Sequence, residues 1–249
     1  MEVTIITATY NSERYIVDCV ESINNQEYPN ITQVIIDGVS TDKTLELAKN
    51  IPNRITSIIS EKDKGIYDAM NKGIHNANGS IVGILNSDDF YASQDVIAKV
   101  VSLFEKTGCD AVYGNLDFVD AEKTDKVIRH WNSKAYKTGG FQKGWHPPHP
   151  TFFVKKEIYE KYGVFNTSLN VSADFELMLR FIEKHRIHVE YLDETLVKMR
   201  YGGESTGSLS KIIEGNRNVM KAFKINGISV SPFYPIVRLL PKIKQFIKR

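Results

Sequence analysis

The chain has 249 residues, 42% of them hydrophobic and 25% charged, with a formal net charge of +2. That length suits one large α/β domain or two small ones, and the composition excludes a collagenous, disulfide-rich or low-complexity protein. Apolar runs are too short to span a bilayer, and the opening Met1-Glu2-Val3-Thr4-Ile5-Ile6 lacks the basic start and long apolar stretch of a signal peptide, so a cytoplasmic chain is expected.

Charge is unevenly placed. Eight bases (Arg217, Lys221, Lys224, Arg238, Lys242, Lys244, Lys248 and Arg249) follow Glu214, where there is no acid, so an acidic body carries a basic tail. Such a body is a poor partner for nucleic acid, because phosphate contacts would have to come from the tail alone. Cys19 and Cys109 have neither metal nor redox spacing and read as buried free thiols.

In chain order, the first half alternates apolar strands with amphipathic helices. Residues 3–8 read as a strand, and 12–23 as a helix with Tyr15, Ile16, Cys19, Val20 and Ile23 on one face. A strand at 33–37 leads to a helix at 43–50, capped from Ser40-Thr41-Asp42, because short polar side chains satisfy free N–H groups at a helix start. Next come a strand at 55–60, a helix at 65–77, a strand at 81–85, a helix at 94–106 capped by Ser93, and a strand at 111–119. Strands separated by helices imply βαβ crossovers and a mainly parallel sheet.

Residues 120–152 are polar, contain Gly139-Gly140, Gly144 and the run His146-Pro147-Pro148-His149-Pro150, and read as a long functional loop or insertion. Helices are expected near 156–162, 174–184 and 208–225, with strand-like segments at 188–192 and 195–200. No linker rich in Gly, Ser or Pro divides the chain. The expected organisation is one α/β domain at 1–207, in halves 1–119 and 120–207, followed by a helical extension at 208–249.

Ligands of a parallel sheet bind beyond the carboxyl ends of its strands. The first four strands run into Thr9-Tyr10-Asn11, Asp37-Gly38-Val39-Ser40, Glu61-Lys62-Asp63-Lys64-Gly65 and Asn86-Ser87-Asp88-Asp89, which places carboxylates at three of four strand ends. Clustered acids repel one another unless cations or donors offset them. Neither a Gly-x-Gly-x-x-Gly turn nor a P-loop is present, which argues against nicotinamide and P-loop enzymes. A diphosphate at this edge would therefore need Mg²⁺ or Mn²⁺ to bridge it to the carboxylates.

The pieces TATYNSERYI (7–16), IIDGVSTDKT (35–44), SEKDKGIYDAMNKGI (60–74) and GILNSDDFY (83–91), with the weaker HPTFF (149–153) and SADFELMLRF (172–181), resemble the family 2 glycosyltransferases of the GT-A fold over roughly residues 1–205. The resemblance implies a Rossmann-like GT-A domain that transfers a sugar from a nucleotide-activated donor to an acceptor hydroxyl with inversion, usually with Mg²⁺ or Mn²⁺. It places Thr9 and Tyr10 at the nucleoside and Asp37 at the base, although a capping role for Asp37 is equally compatible with its turn. Many relatives carry a second Asp where this chain has Gly38.

By the same resemblance Asp88 is the metal ligand, Asp89 assists or caps, Ser87 lies in the nucleotide-sugar motif, and Asn86 replaces the family's first Asp. Asp63 and Lys64 belong to a loop beneath the nucleotide, Lys64 being either a phosphate partner or a solvated charge. Met70 stands where many relatives have Arg. Asp174 matches the family's general base, with Ala173 in place of the preceding Glu; Glu176 is the nearby alternative, and the first helical turn favours any acid. His149 and Arg180 are placed on the acceptor side, either in contact with the acceptor or structural. Gly202-Gly203-Glu204-Ser205 matches a late loop that closes over the donor.

Ile236, Leu239, Leu240, Ile243, Phe246 and Ile247 recur at helical spacing among the tail's bases, with Pro241 between them. This is a basic amphipathic helix suited either to an anionic membrane surface or to packing on the domain. The expected activity is transfer from a nucleotide-sugar donor, a UDP-sugar in first place, to a saccharide or lipid-linked saccharide acceptor in surface-polysaccharide synthesis. Rival readings are a decayed nucleotide-sugar-binding protein and a sugar-nucleotide pyrophosphorylase.

Overall fold

The computed structural model describes residues 1–202 and 209–238. Its elements are β1 (Val3–Thr9), α1 (Ile16–Asn24), β2 (Ile31–Asp37), α2 (Thr44–Lys49), β3 (Ile55–Ser60), α3 (Ile66–Asn76), β4 (Ile81–Ile84), β5 (Phe90–Tyr91), α4 (Val96–Thr107), β6 (Ala111–Val119), β7 (Val127–Trp131), β8 (Phe153–Lys155), α5 (Lys156–Tyr162), α6 (Ala173–Met178), β9 (Val189–Arg200), α7 (Leu209–Ile225) and α8 (Tyr234–Val237). A π-helical stretch, Leu179–Lys184, continues α6.

These strands form one sheet in the order β3-β2-β1-β4-β8-β6-β9-β5, with β7 paired to β6. The pairs β3-β2, β2-β1, β1-β4 and β6-β9 are parallel, while β8 runs antiparallel to both its neighbours. The mainly parallel GT-A-like sheet expected from the sequence is present, and β8 and β9 from the second half complete it. Every residue of β1 is buried, as a central strand covered on both faces requires. Val3 and Ile5 join Cys19 and Ile23 of α1 and Phe104 of α4, while Ile6 and Ala8 join Met70 and Ile74 of α3, Phe175 of α6 and Phe223 of α7. Alternation along one strand thus builds two apolar layers. Cys19 and Cys109 are buried and free.

Several local expectations are corrected. Residues 120–152 are not one loop: β7 pairs with β6 through Leu116↔Trp131 and Asp117↔His130, and 3-10 turns occupy Phe141–Lys143 and His149–Thr151. The segments 188–192 and 195–200 are one strand, β9, whose register shifts opposite Tyr113–Leu116 absorb the polar Asp193-Glu194 step. Gly114 permits that approach, since a Cβ there would lie 2.6 Å from Leu196. Helix α1 starts later than expected because the Ser12 carbonyl accepts from Tyr15 N and Ile16 N in a turn. Ser93 does not cap α4; its hydroxyl donates to Asp95 Oδ1 at 2.6 Å.

Register sets the site. Thr9 pairs with Asp37, and Leu85 N donates to Ile6 O at 3.0 Å, so the chain leaves β1, β2 and β4 along one edge. Helix α7 is docked beside α6 through Phe175–Phe223 and reaches α8 through Phe223–Tyr234, with ring centroids 5.6 and 4.9 Å apart. Most of the amphipathic tail, and Gly203-Glu204-Ser205 of the late loop, lie outside the described residues.

Candidate active site

A cavity of about 1920 Å³ opens where β1, β2 and β4 end and is closed on other sides by the 129–149 segment, α6, α7, β9 and Arg238 just beyond α8. Seven of the expected site residues line it: Thr9, Tyr10, Asp63, Ser87, Asp88, His149 and Asp174. Tyr10 is 63% exposed, presenting a free aromatic face, and Thr9 Oγ1 is buried without a partner. Ser87 Oγ lies 2.8 Å from Ser12 Oγ, tying the β4 exit to the β1 exit.

Asp37, Lys64, Asp89 and Arg180 do not line the cavity. Asp37 is fully buried and accepts from Ser40 N, Ser40 Oγ and Ser60 Oγ, so it braces the ends of β2 and β3. Asp63 is the acid that reaches the cavity there. Its Oδ2 lies 2.7 Å from where a Cβ on residue 38 would stand, so Gly38 makes room for Asp63, whose other oxygen accepts from Gly65 N at 2.8 Å. Lys64 is exposed and does not line the cavity, and its backbone N–H donates to Asp68 Oδ2.

Arg180 is a structural clamp. Its guanidinium donates to both oxygens of Glu176 at 3.1 Å and to the carbonyls of Tyr162, Gly163 and Val164. Glu176 also accepts from Asn226 Nδ2 at 2.9 Å, so this buried acid is fully engaged away from the cavity.

Asp174 has a different environment. Tyr67 Oη donates to its Oδ1 at 3.0 Å, and His149 Nδ1 lies 3.1 Å from its Oδ2. The Tyr67 hydroxyl is held well above its ordinary pKa by burial first and by the Asp174 charge second, so it remains a donor. Helix α6 starts one residue before the expected 174, and the hydroxyl of Ser172 at its N-cap position points to Gly215 O at 3.4 Å rather than capping the helix.

The acidic turn after β4 divides into two roles. Asp88 faces the cavity, and burial raises its pKa, against the opposing charges of Arg200 and His149. Asp89 points inward and is fully buried, and burial first and the Asp88 charge second hold its pKa well above the carboxylate range, against the opposing contributions of Arg200 and Asn86. Asn86 lines the cavity with a buried, unpartnered Oδ1. Among the described residues no three His, Cys, Asp or Glu side chains form a ready-made metal cage. Asp88 and Asn86 nevertheless supply two hard oxygen donors on the cavity wall, a set that fits Mg²⁺ or Mn²⁺ when phosphate oxygens and water complete the shell.

Sequence reasoning missed Tyr67 and Arg200. Tyr67 lies inside the 60–74 motif, but its partner is 107 residues away. Arg200, at the end of β9, donates to Asp88 O at 2.6 Å and to Ala121 O at 3.3 Å, pairs with Asp18, and stacks over Tyr15 and Phe90. It fixes the backbone of Asp88, which faces the cavity.

The sequence matches the profile described as Glycosyl transferase family 2 over residues 4–163. A PGL/p-HBAD biosynthesis glycosyltransferase of Mycobacterium bovis is 27% identical over 217 residues, covering 84% of this chain and 80% of the relative. A dolichyl N-acetyl-alpha-D-glucosaminyl phosphate 3-beta-D-2,3-diacetamido-2,3-dideoxy-beta-D-glucuronosyltransferase of Methanococcus voltae is 29% identical, covering 73% of this chain and 62% of that relative. Among solved structures, S. aureus TarS 1–349 in complex with UDP-GlcNAc superposes with a TM-score of 0.67 at 16% identity, covering 100% of this chain and 73% of the other. The mannosyltransferase PcManGT from Pyrobaculum calidifontis, in complex with GDP-Man and Mn²⁺, gives 0.66 at 22% identity, covering 97% and 69%. These structural likenesses confirm the α/β GT-A architecture, and the family profile, which spans more than half of the sequence, places the chain in glycosyl transferase family 2.

Proposed function

We propose that the chain is a metal-dependent, inverting glycosyltransferase that moves a sugar from a nucleotide-diphosphate sugar, in first place a UDP-sugar, to a hydroxyl of a saccharide or lipid-linked saccharide. The observation that carries this reading is one cavity holding both Asp88 and an Asp174 whose two oxygens are engaged by Tyr67 and His149. The nucleoside lies against Thr9 and Tyr10, with Asp63 beside it, and the diphosphate lies toward Ser87 and Asp88.

Asp88 and Asn86 would hold Mg²⁺ or Mn²⁺, whose contribution is Lewis-acid stabilisation of the leaving nucleoside diphosphate. Arg200 fixes the Asp88 backbone, so this edge needs no rearrangement when the donor binds. Asp174 takes the proton of the acceptor hydroxyl as that oxygen bonds to the anomeric carbon and the bond to the diphosphate oxygen breaks. A single displacement of this kind inverts the anomeric centre. Met70 and Ala173, which replace a family Arg and Glu, are buried in the core, so their side chains serve packing.

The acceptor follows the two curated relatives, whose names specify PGL/p-HBAD biosynthesis and a dolichyl-linked sugar phosphate. Among the described residues no helix is long and apolar enough to cross a membrane. The proposed location is cytoplasmic and peripheral, on the inner face of the plasma membrane, with the basic tail against anionic lipid.

The test is donor hydrolysis by the purified chain with UDP- and GDP-sugars. Slow release of nucleoside diphosphate that needs Mn²⁺ or Mg²⁺ and disappears in Asp88→Ala supports the reading. Release that survives both EDTA and Asp88→Ala, or none with any donor, overturns it.

A further inference from the structure

Charge on the cavity wall is sorted by segment. Asp63, Asp88 and Asp174 come from the β3 and β4 exits and from α6, and a fourth acid, Glu214, from α7. The 129–146 segment contributes Lys134, Lys137 and Lys143 and no acid, and the sequence from Lys126 to Lys156 contains no Asp or Glu. Arg238, just beyond α8, lines the same cavity.

Lys134, Lys137 and Lys143 are exposed and form no ion pair among the described residues, and what sets them apart from other unpaired lysines is that all three line one cavity. Uncompensated cations gathered on one wall of a cavity raise the local concentration of anions.

The segment that carries them is braced. Lys134 O accepts from Tyr113 Oη at 2.9 Å, Gly139 N and Phe141 N donate to Glu183 at 3.3 Å, and Lys143 N donates to Gly140 O at 3.0 Å. A Cβ on Gly144 would stand 2.8 Å from Arg238 Cα, so glycine there lets the α8 end close onto this segment. An aromatic path joins it to the base: Trp131 and His146 have centroids 5.1 Å apart, His146 and Phe175 5.5 Å, and Phe175 follows Asp174 in sequence.

We propose that this wall is an acceptor subsite for a phosphate-bearing saccharide. The reactive hydroxyl lies at Asp174, the sugar ring lies against the aromatic path, and the phosphate is read by Lys134, Lys137 and Lys143 with Arg238. The proposal rests on the glycosyltransferase reading and names the class of its acceptor. A phosphate on a soluble saccharide and one in a lipid headgroup share this chemistry.

The chain's two tryptophans, Trp131 and Trp145, both line the cavity, so intrinsic fluorescence reports on this wall. The experiment titrates the full chain with glucose 1-phosphate and with glucose, in EDTA so that no cation can hold phosphate at Asp88. It then repeats the titration with phosphatidylglycerol and with phosphatidylcholine vesicles. Expected is a saturable response to glucose 1-phosphate, absent for glucose, that weakens about tenfold or more in the Lys134→Glu/Lys137→Glu/Lys143→Glu variant. The substituted side chains are exposed, and an unshifted melting temperature verifies that the variant is folded.

A response to phosphatidylglycerol but not phosphatidylcholine vesicles, lost in the variant, also supports the subsite and assigns the phosphate to a bilayer; a response to the sugar phosphate alone assigns it to a soluble acceptor. Equal responses to glucose and glucose 1-phosphate, no response to either phosphate source, or a folded variant that binds as the native chain does, overturn the proposal. Metal-dependent donor hydrolysis without phosphate discrimination sinks the subsite alone. Phosphate discrimination without any donor turnover sinks the transferase reading instead.

Discussion

His149 Nδ1 stands 3.1 Å from Asp174 Oδ2, joining the turn that leads into β8 to the first turn of α6. A hydrogen bond across this contact has Nδ1–H donating to the carboxylate oxygen. Tyr67 holds the second oxygen, so the carboxylate is oriented from both sides. Asp174→Asn keeps this shape but removes the proton acceptor. The expected result is a loss of transfer rate of about 100- to 10,000-fold at saturating substrates, with donor KM little changed. Initial-rate kinetics with a working donor and acceptor check it, and a variant with near-native turnover would place the base elsewhere.

Asp37 and Asp63 stand in different surroundings, one braced inside the sheet edge and the other on the cavity wall. Asp37 is consumed by Ser40 and Ser60, while Asp63 occupies the space beside Gly38. Asp37→Ala is therefore expected to lower stability by about 3 kcal/mol through lost hydrogen bonds to a buried carboxylate. Asp63→Ala is expected to raise donor KM about 10- to 100-fold with a small change in melting temperature. Denaturant melts and donor titrations on the same two proteins separate these effects, and the reverse outcome would return Asp37 to the nucleotide.

What the sequence discloses here follows from the range of the interactions. Strands β3 and β6 lie at the expected 55–60 and 111–119, because segments rich in β-branched and aromatic residues between helices are a local signal. Strands β5 and β8, of two and three residues, are too short to carry a period, and half-exposed β7 resembles a polar loop. Thr9, Ser87 and Asp88 were legible because strand exits of a parallel sheet converge. The Asp37–Ser60 bond, the Tyr67–Asp174 bond and the reach of Arg200 to Asp88 O, 112 residues away in sequence, depend on which strands become neighbours, and no local pattern encodes that.

Arg200 is expected to act as a positioning residue. It touches the Asp88 carbonyl rather than its carboxylate, and its flat guanidinium is held over Tyr15 and Phe90 while it also serves Ala121 O and Asp18. A lysine offers a point charge in place of that fork. Arg200→Lys is expected to raise the half-saturating Mn²⁺ concentration about 10- to 100-fold, the range for removing groups that orient metal ligands. A variant that loses thermal stability but keeps the native Mn²⁺ dependence would reduce Arg200 to a packing role.

Asp89 gives a prediction about stability with a definite sign. Its folded-state pKa is raised, chiefly by burial and then by the Asp88 charge, above its unfolded value, so between those two values the native state binds more protons than the unfolded state. Stability of the metal-free chain should then fall as pH rises through that window, starting from the ordinary aspartate value of about 3.9. Asp89→Asn removes this titration while retaining the shape of the protonated acid. In EDTA the variant is expected to melt above the native chain at pH 7, with the gap narrowing as pH falls toward 4. Melting curves across that range decide the matter: a variant that melts below the native chain at pH 7 would mean that Asp89 is charged in the fold, with Arg200 and Asn86 outweighing the cost of burial.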